Sequence, residues 1–292
     1  MRIVLGVDTE DHKAAVELLV RLKFESPSVE LVHVLEMLLP PGWKAGPQEP
    51  ADLIDKFIRL QQAEGLKALE DAAAELKQYG ISPHRTVLNG SAANRLMDHA
   101  DGVGADLIAV GSGNKGRVEA FLIGSVGRKL VIGAKQSILI AKRKLAAEGP
   151  LTAVLATDHS DYANRCIDKL VQFAPQGIGR LTVMTAYPKE LVRAMESAMG
   201  HFKIAVGPWM DEKLHEQNKR VEEKLGRLGW KCESRVIESP PNEAVRQVMQ
   251  ESGADLLIMG AHGHGMLERL TIGSISFYQV VAEPHSVLVL RA

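Results

Sequence analysis

A chain of 292 residues that is 46% hydrophobic and 24% charged carries enough apolar side chain to fold, which excludes disorder as its main state. Its net charge of −1 gives no broad positive field for nucleic acid, and no stretch approaches the roughly 18 consecutive apolar residues of a membrane helix. The two cysteines, Cys166 and Cys232, stand in no metal-type spacing, and Met1 to Val7 runs straight into Asp8 with no leader pattern, so a reducing cytoplasm is expected.

In chain order, Ile3 to Asp8 (IVLGVD) is an apolar run stopping at an acid, the pattern of a strand buried on both faces. Lys13 to Phe24 repeats apolar residues at three and four positions and predicts a helix. A second strand follows at Val29 to Leu35, a Pro-bearing stretch at Pro40 to Pro50, and a helix from about Asp52 to Tyr79. The third strand is His84 to Leu88, a helix begins near Ala92, the fourth strand is Asp106 to Val110 and the fifth Ser137 to Ala141. Lys142 to Pro150 (KRKLAAEGP) is polar and ends in Gly-Pro, so it is expected to be a solvated linker.

The series then begins again. Ala153 to Asp158 (AVLATD) repeats the first strand, Ala163 to Phe173 the first helix, and Arg180 to Ala186 the second strand. Helical pattern lies on both sides of Gly207-Pro208, which is expected to end one helix and start another; the Met-rich stretch Leu191 to Met199 is expected in a core or an interface. Further strands fall at Cys232 to Ile237, Asp255 to Met259 and Ser286 to Leu290, with a helix beginning near Asn242. Apolar strands alternating with amphipathic helices imply parallel sheets covered on both faces. We therefore expect two tandem doubly wound α/β domains, residues 1–143 and 151–292, joined by a linker at 144–150. In such domains ligands sit beyond the carboxyl ends of the strands where strand order reverses, the place of Asp8, Asp158 and two glycine loops.

Those loops are the most specific feature of the repeat. Gly104 to Ser125 reads GADLIAVGSGNKGRVEAFLIGS, and Gly253 to Ser274 reads GADLLIMGAHGHGMLERLTIGS. The second loop has the spacing Gly260-x2-Gly263-x9-Gly273-Ser274. A Gly at the strand end would let a phosphate approach the backbone, and a second is expected to supply positive φ. Gly-Ser at the next helix start adds N–H donors and a hydroxyl. In the first loop Asn114 replaces the second Gly; Asn tolerates a left-handed backbone, but its side chain would occupy phosphate space.

This G-x2-G-x9-G-S pattern, with Asp at the end of the first strand and the GADL strand before the loop, resembles the universal stress protein family in its tandem form, over essentially the whole chain. The resemblance implies Rossmann-like domains of the adenine nucleotide alpha hydrolase-like type, each with a five-stranded parallel sheet. It also implies ATP as ligand, with room for Mg²⁺. Carried onto the second half, it assigns Asp158 to adenine and ribose, Met184 to the base, Gly260, Gly263, Gly273 and Ser274 to the phosphates, and Ile275 to the same helix start. In the first half Asp8, Val34, Gly111, Gly124 and Ser125 correspond, and Asn114 makes binding less favoured there. The resemblance further implies that Ser137 to Ala141 and Ser286 to Leu290 meet as an internal pseudo-dimer; a homodimer, no nucleic acid and no membrane are expected.

Rival motifs in the loops are weaker. Gly111 to Gly116 satisfies GxGxxG but follows the fourth strand and lacks the acid about 20 residues on, and Arg117-Val118 stand where a Walker A loop has Lys-Ser/Thr. His262 and His264 form an HxH without an evident third ligand, so a metal is not expected. No second acid or His matches Asp8 or Asp158 as an acid–base partner, so no catalytic residue is assigned and weak ATPase activity is the most that is expected. Cys166 and Cys232 fall in helix and strand patterns, as buried apolar residues do. The expected function is a nucleotide-binding, stress-response regulatory module. Two alternatives stay open: an ATPase or nucleotidyl- or phosphoryl-transferring enzyme, and a scaffold that recruits a partner through Glu190 to Gly226.

Overall fold

The computed structural model describes residues 1–9, 12–36, 51–113, 123–142, 145, 148–198, 205–263 and 272–292, without the side chains of 51–55 and 57. They form two compact units, Met1–Val20 with Ser26–Lys144, and Leu145–Ala292 with Arg21–Glu25.

The first unit runs β1 (Arg2–Gly6), α1 (Lys13–Leu22), β2 (Ser28–Leu35), α2 (Ala51–Gln78), β3 (His84–Asn89), α3 (Ala92–Val103), β4 (Leu107–Gly111), α4 (Ser125–Gly133) and β5 (Ser137–Ala141). Its strands lie in the order β3-β2-β1-β4-β5, all parallel. Ile3, Val4 and Leu5 of β1 and Leu107, Ile108 and Ala109 of β4 are fully buried, each large side chain contributing about 1.5–3 kcal/mol of apolar burial.

The second unit runs β6 (Leu151–Ala156), α5 (Asp161–Phe173), β7 (Ile178–Tyr187), α6 (Lys189–Ala198), α7 (Val206–Gly226), β8 (Lys231–Glu238), α8 (Pro241–Ser252), β9 (Leu256–Gly260), α9 (Ser274–Ala282) and β10 (Ser286–Leu290). The strand order is β8-β7-β6-β9-β10, again parallel. Each unit is thus a Rossmann-like α/β domain. Its chain reverses direction across the sheet between the first and fourth strands of that unit, so the turns leaving those two strands flank one crevice.

The repeated Gly-Ala-Asp before the fourth strand serves the fold. Gly104 and Gly253 end α3 and α8 in left-handed conformation, at φ 62° and 59°, each donating its N–H back to the last turn. Asp106 Oδ2 then accepts the backbone N–H of Arg2 at 2.8 Å, and Asp255 Oδ2 that of Thr152 at 3.0 Å, fixing the start of the first strand against the fourth.

Two expectations change, and a third, that of the Met-rich stretch, holds at Met195. Gly207-Pro208 lies inside the first turn of α7, where a missing N–H costs nothing, after a non-helical N-cap at Ala205, so it starts that helix without ending the one before. From the Met-rich stretch, Met195 packs on a buried cluster of Tyr187, Val192, Val206 and Met210; Met199 lies outside the described residues. Lys142, expected to be solvated, is buried beyond the end of β5. No helix among the described residues is long and apolar enough to cross a membrane.

Candidate functional site

In the second unit the turn after β6 is built by side chains acting on backbone. Thr157 N–H donates to Met184 O at 3.0 Å, continuing the β6–β7 ladder by one residue. Asp158 Oδ1 accepts Ser160 N–H at 3.1 Å, and Ser160 Oγ caps α5 by accepting Ala163 N–H at 3.1 Å. Between them His159 holds a left-handed φ of 57°. Its Nε2 lies 2.9 Å from Asn218 Oδ1 and 3.1 Å from Thr185 Oγ1, and Asn218, wholly buried, donates on to Arg235 O. The network holds a strained residue in place next to Asp158.

The loop after β9 is drawn shut at its stem. Gly273 N–H donates to Ala261 O at 2.8 Å and Ser276 Oγ to Gly260 O at 2.8 Å. Helix α9 starts with Gly273 as its N-cap and has no side-chain cap. Its position is set from α8: the buried carboxylate of Glu283 pairs with Arg246, and Gln279 bridges Asn242 and His285.

Asp158, Met184, Gly260, Gly263, Gly273, Ser274 and Ile275 all line one cavity of about 410 Å³. Ala156, Thr157, Ala163, Ala186, Pro241, Val245, Met259, His262 and Ser276 complete its wall. Gly263 does not supply the positive φ expected of it, since it is absent from the left-handed residues. It is small for another reason: a Cβ there would stand 2.5 Å from Asp158 Oδ2. Gly260 is less confined: an added Cβ would stand 3.3 Å from His262 O, with Cys166 Sγ and Tyr162 Cε1 at ordinary contact distance.

Beside the loop lies a titratable cluster. Tyr162 meets the His262 ring edge-on at 5.0 Å, and Cys166 Sγ donates to Leu290 O at 3.5 Å. Burial pushes the Tyr162 phenol up to about 12 and the Cys166 thiol up to about 11, so both are neutral and Cys166 is no nucleophile. Burial, with Arg291 nearby, holds the His262 imidazole below its ordinary value. Burial likewise pushes the Cys232 thiol up to about 11.

The first unit repeats the crevice with other walls. Asp8, Val34, Gly111, Gly124 and Ser125 line a cavity of about 460 Å³, together with His33, Glu36, Gln61, Glu64 and Gly113 among others. Gly124 N–H donates to Ser112 O at 2.7 Å, the counterpart of Gly273 to Ala261. Gly113, at φ 70°, supplies the left-handed residue, one position before Asn114, which lies outside the described residues. Glu36 Oε1 accepts Ala92 N–H at the start of α3, and His33 Nδ1 meets Val7 O at 2.8 Å. The ladder sets the equivalence along the second strand: Val7 N–H donates to Val32 O as Thr157 does to Met184 O, so Met184 matches Val32, and Val34 matches Ala186. Both Val32 and Val34 line the first cavity. His264 lies outside the described residues, among which no group of three or more His, Cys, Asp or Glu could hold a metal.

A family profile described as the Universal stress protein family matches residues 1–142 and again 152–291. A universal stress protein of Mycolicibacterium smegmatis is 23% identical over 309 residues, spanning 99% of this chain and 96% of its own length. A universal stress protein of Methanocaldococcus jannaschii is 30% identical over 92 residues, 32% of this chain; the match spans 52%, about half, of that relative's length. Among solved structures, a universal stress protein from Archaeoglobus fulgidus has a TM-score of 0.67 at 19% identity, covering 99% of this chain and 98% of its own, a likeness of fold.

Proposed function

The chain belongs to the universal stress protein family, and on that premise we propose that its second unit binds an adenine nucleotide, ATP foremost, as the input of a regulatory module. The observation that carries this reading is the convergence of Asp158, Gly260, Gly263, Gly273 and Ser274 on one cavity at the carboxyl ends of β6 and β9. Its size lies in the range of small-molecule sites, and its walls divide by chemistry. Met184, Ala186, Val245 and Met259 offer apolar surface to a planar base. The start of α9 and the Ser274 hydroxyl offer N–H and O–H donors to phosphate, with the positive end of the helix dipole behind them. Asp158 can accept from a ribose hydroxyl or a base amino group.

Asp158 is also the one carboxylate among the described residues lining this cavity. Mg²⁺ accepts a single carboxylate when substrate phosphates supply further oxygens, so any Mg²⁺ here would arrive with the nucleotide. A binding role is favoured over a catalytic one because Asp158 is engaged by the Ser160 amide and faces no second acid in that wall.

Two measurements test the reading. Denaturing protein purified without added ligand and identifying released small molecules by mass spectrometry should yield an adenine nucleotide. Calorimetry on ligand-free protein should show ATP binding, with phosphate release staying near background. Absence of both released nucleotide and heat on titration would overturn the proposal; rapid turnover abolished by Asp158→Ala would move it to the enzyme class.

A further inference from the structure

We propose that His262 takes up a proton when a phosphate-bearing ligand fills the second cavity, so that nucleotide affinity there is linked to pH. The inference rests on the nucleotide reading above and adds to it a specific group and a linked proton.

His262 lines the cavity yet is only 6% exposed, and neither of its ring nitrogens has a hydrogen-bond partner among the described residues. A buried imidazole ordinarily satisfies at least one nitrogen, because water has been taken from it. The groups that face it explain its charge state. Tyr162 and Cys166, from α5, are neutral and held so by burial. Arg291, just past β10, is a cation that opposes a second positive charge. Asp158 is the nearby anion, with Oδ2 against the adjoining Gly263. Without a ligand charge the balance of burial and Arg291 favours the neutral ring.

A phosphate brings the charge that opposes both effects. Its negative charge, placed beside the buried ring, favours the imidazolium over the imidazole. The proton comes from solvent, adds to the free ring nitrogen, and returns to solvent when the ligand leaves. Reciprocity then requires affinity to rise as pH falls through the ordinary histidine range. The matching stem bonds, Gly124 to Ser112 and Gly273 to Ala261, align His262 with Gly113, so the first unit has no counterpart of this ring; the histidine that lines its cavity, His33, meets Val7 O through Nδ1 at 2.8 Å.

The test is calorimetry of ATP binding to the full chain, in EDTA at about pH 6.5, in two buffers of different ionisation enthalpy. ATP's own phosphate titrates there, so the quantity read is the difference between the native protein and His262→Gln. Native protein should take up a sizeable fraction of a proton more than the variant, and its affinity should gain about tenfold more between pH 8 and pH 6, the equivalent of one pKa unit. Adenosine, without phosphate, should show no such difference. In the native protein, the His262 ring-proton NMR titration should move upward on adding ATP, a readout that does not need the variant to fold or bind. Equal proton uptake, or an unmoved titration in protein that does bind ATP, would overturn this proposal alone. Failure of the native protein to bind ATP would instead remove the nucleotide reading on which it rests.

Discussion

The two cavities share a frame and differ in what lines it. In the second, Asp158 is the one carboxylate among the described lining residues, set among Met184, Ala186, Val245 and Met259. In the first, Asp8 is joined by Glu36 and Glu64, from the end of β2 and from α2. Three carboxylates around one crevice repel a polyphosphate, whereas an apolar wall with a single acceptor does not. The stems differ too. Ser276 ties the second loop to Gly260 O, while Gly127 stands at the matching position in the first and a Cβ there would stand 2.5 Å from Ile123 Cδ1. Duplication preserved the scaffold and its backbone bonds; side chains facing the crevice were free to diverge because the sheet does not depend on them.

The largest effect that could break this contrast is at the first-strand acids. Asp158→Ala should weaken ATP binding by about tenfold to a hundredfold, the worth of one charged hydrogen bond, while Asp8→Ala leaves the principal site within about twofold. Calorimetry on both variants checks it, and equal losses would show that the sites are not ranked as proposed. Next is Gly263→Asn, whose Cβ would press on Asp158 Oδ2. It should cost about tenfold in affinity and about 1–3 kcal/mol of stability, visible as a lowered Tm, and the reciprocal Asn114→Gly should raise binding in the first unit by a smaller factor. If neither shifts binding, the asymmetry of the loops is irrelevant to the ligand.

A smaller change should follow from Glu36→Gln with Glu64→Gln. The side-chain amide that replaces the Glu36 carboxylate keeps an oxygen for the Ala92 N–H, so the pair removes charge with little change in shape. First-site affinity for ATP should then rise by about threefold, more at low ionic strength, as fluorescence competition with a labelled nucleotide would report. The smallest effect is expected in protein without added nucleotide. Because His262 is held below its ordinary value, the unfolded chain binds more protons near pH 6, so stability is present above the unfolded histidine value and is lost as pH falls below it. His262→Gln should flatten that part of a Tm profile between about pH 5 and pH 7, and an unchanged slope would argue against a neutral buried ring.

What could be read from the sequence follows from how local each signal is. Gly260, Gly273 and Ser274 lie in one short loop, and Asp158 ends an apolar run, so spacing alone finds them. Pro241, Val245 and Ala186 reach the same cavity from α8 and β7, and Glu64 reaches the other from α2; no local pattern distinguishes them from other helix and strand residues. The match of Val34 to Met184 rests on a constant offset, but the second unit carries two more residues on the way into its second strand, one of them at a register shift near the start of β7, and the ladder brings Val32 to the place of Met184. Lys142 sits in a basic triplet, yet composition cannot tell that it packs beyond the end of β5. Gly263 carries the same lesson: a glycine reveals that a Cβ is unwelcome, and only tertiary contact says whether torsion or space is the reason.

The stem bond that closes each glycine loop, from Gly124 to Ser112 and from Gly273 to Ala261, has a consequence for how such a chain evolves. With the two ends fixed to each other, the strand and the helix on either side keep their placement whatever residues lie between those ends. Because closing a somewhat longer loop costs little more than closing a short one, residues within it can be exchanged or inserted at small expense to folding. The stem therefore makes the loop a replaceable cassette, through which a duplicated copy can acquire a new specificity while its sheet stays under unchanged selection.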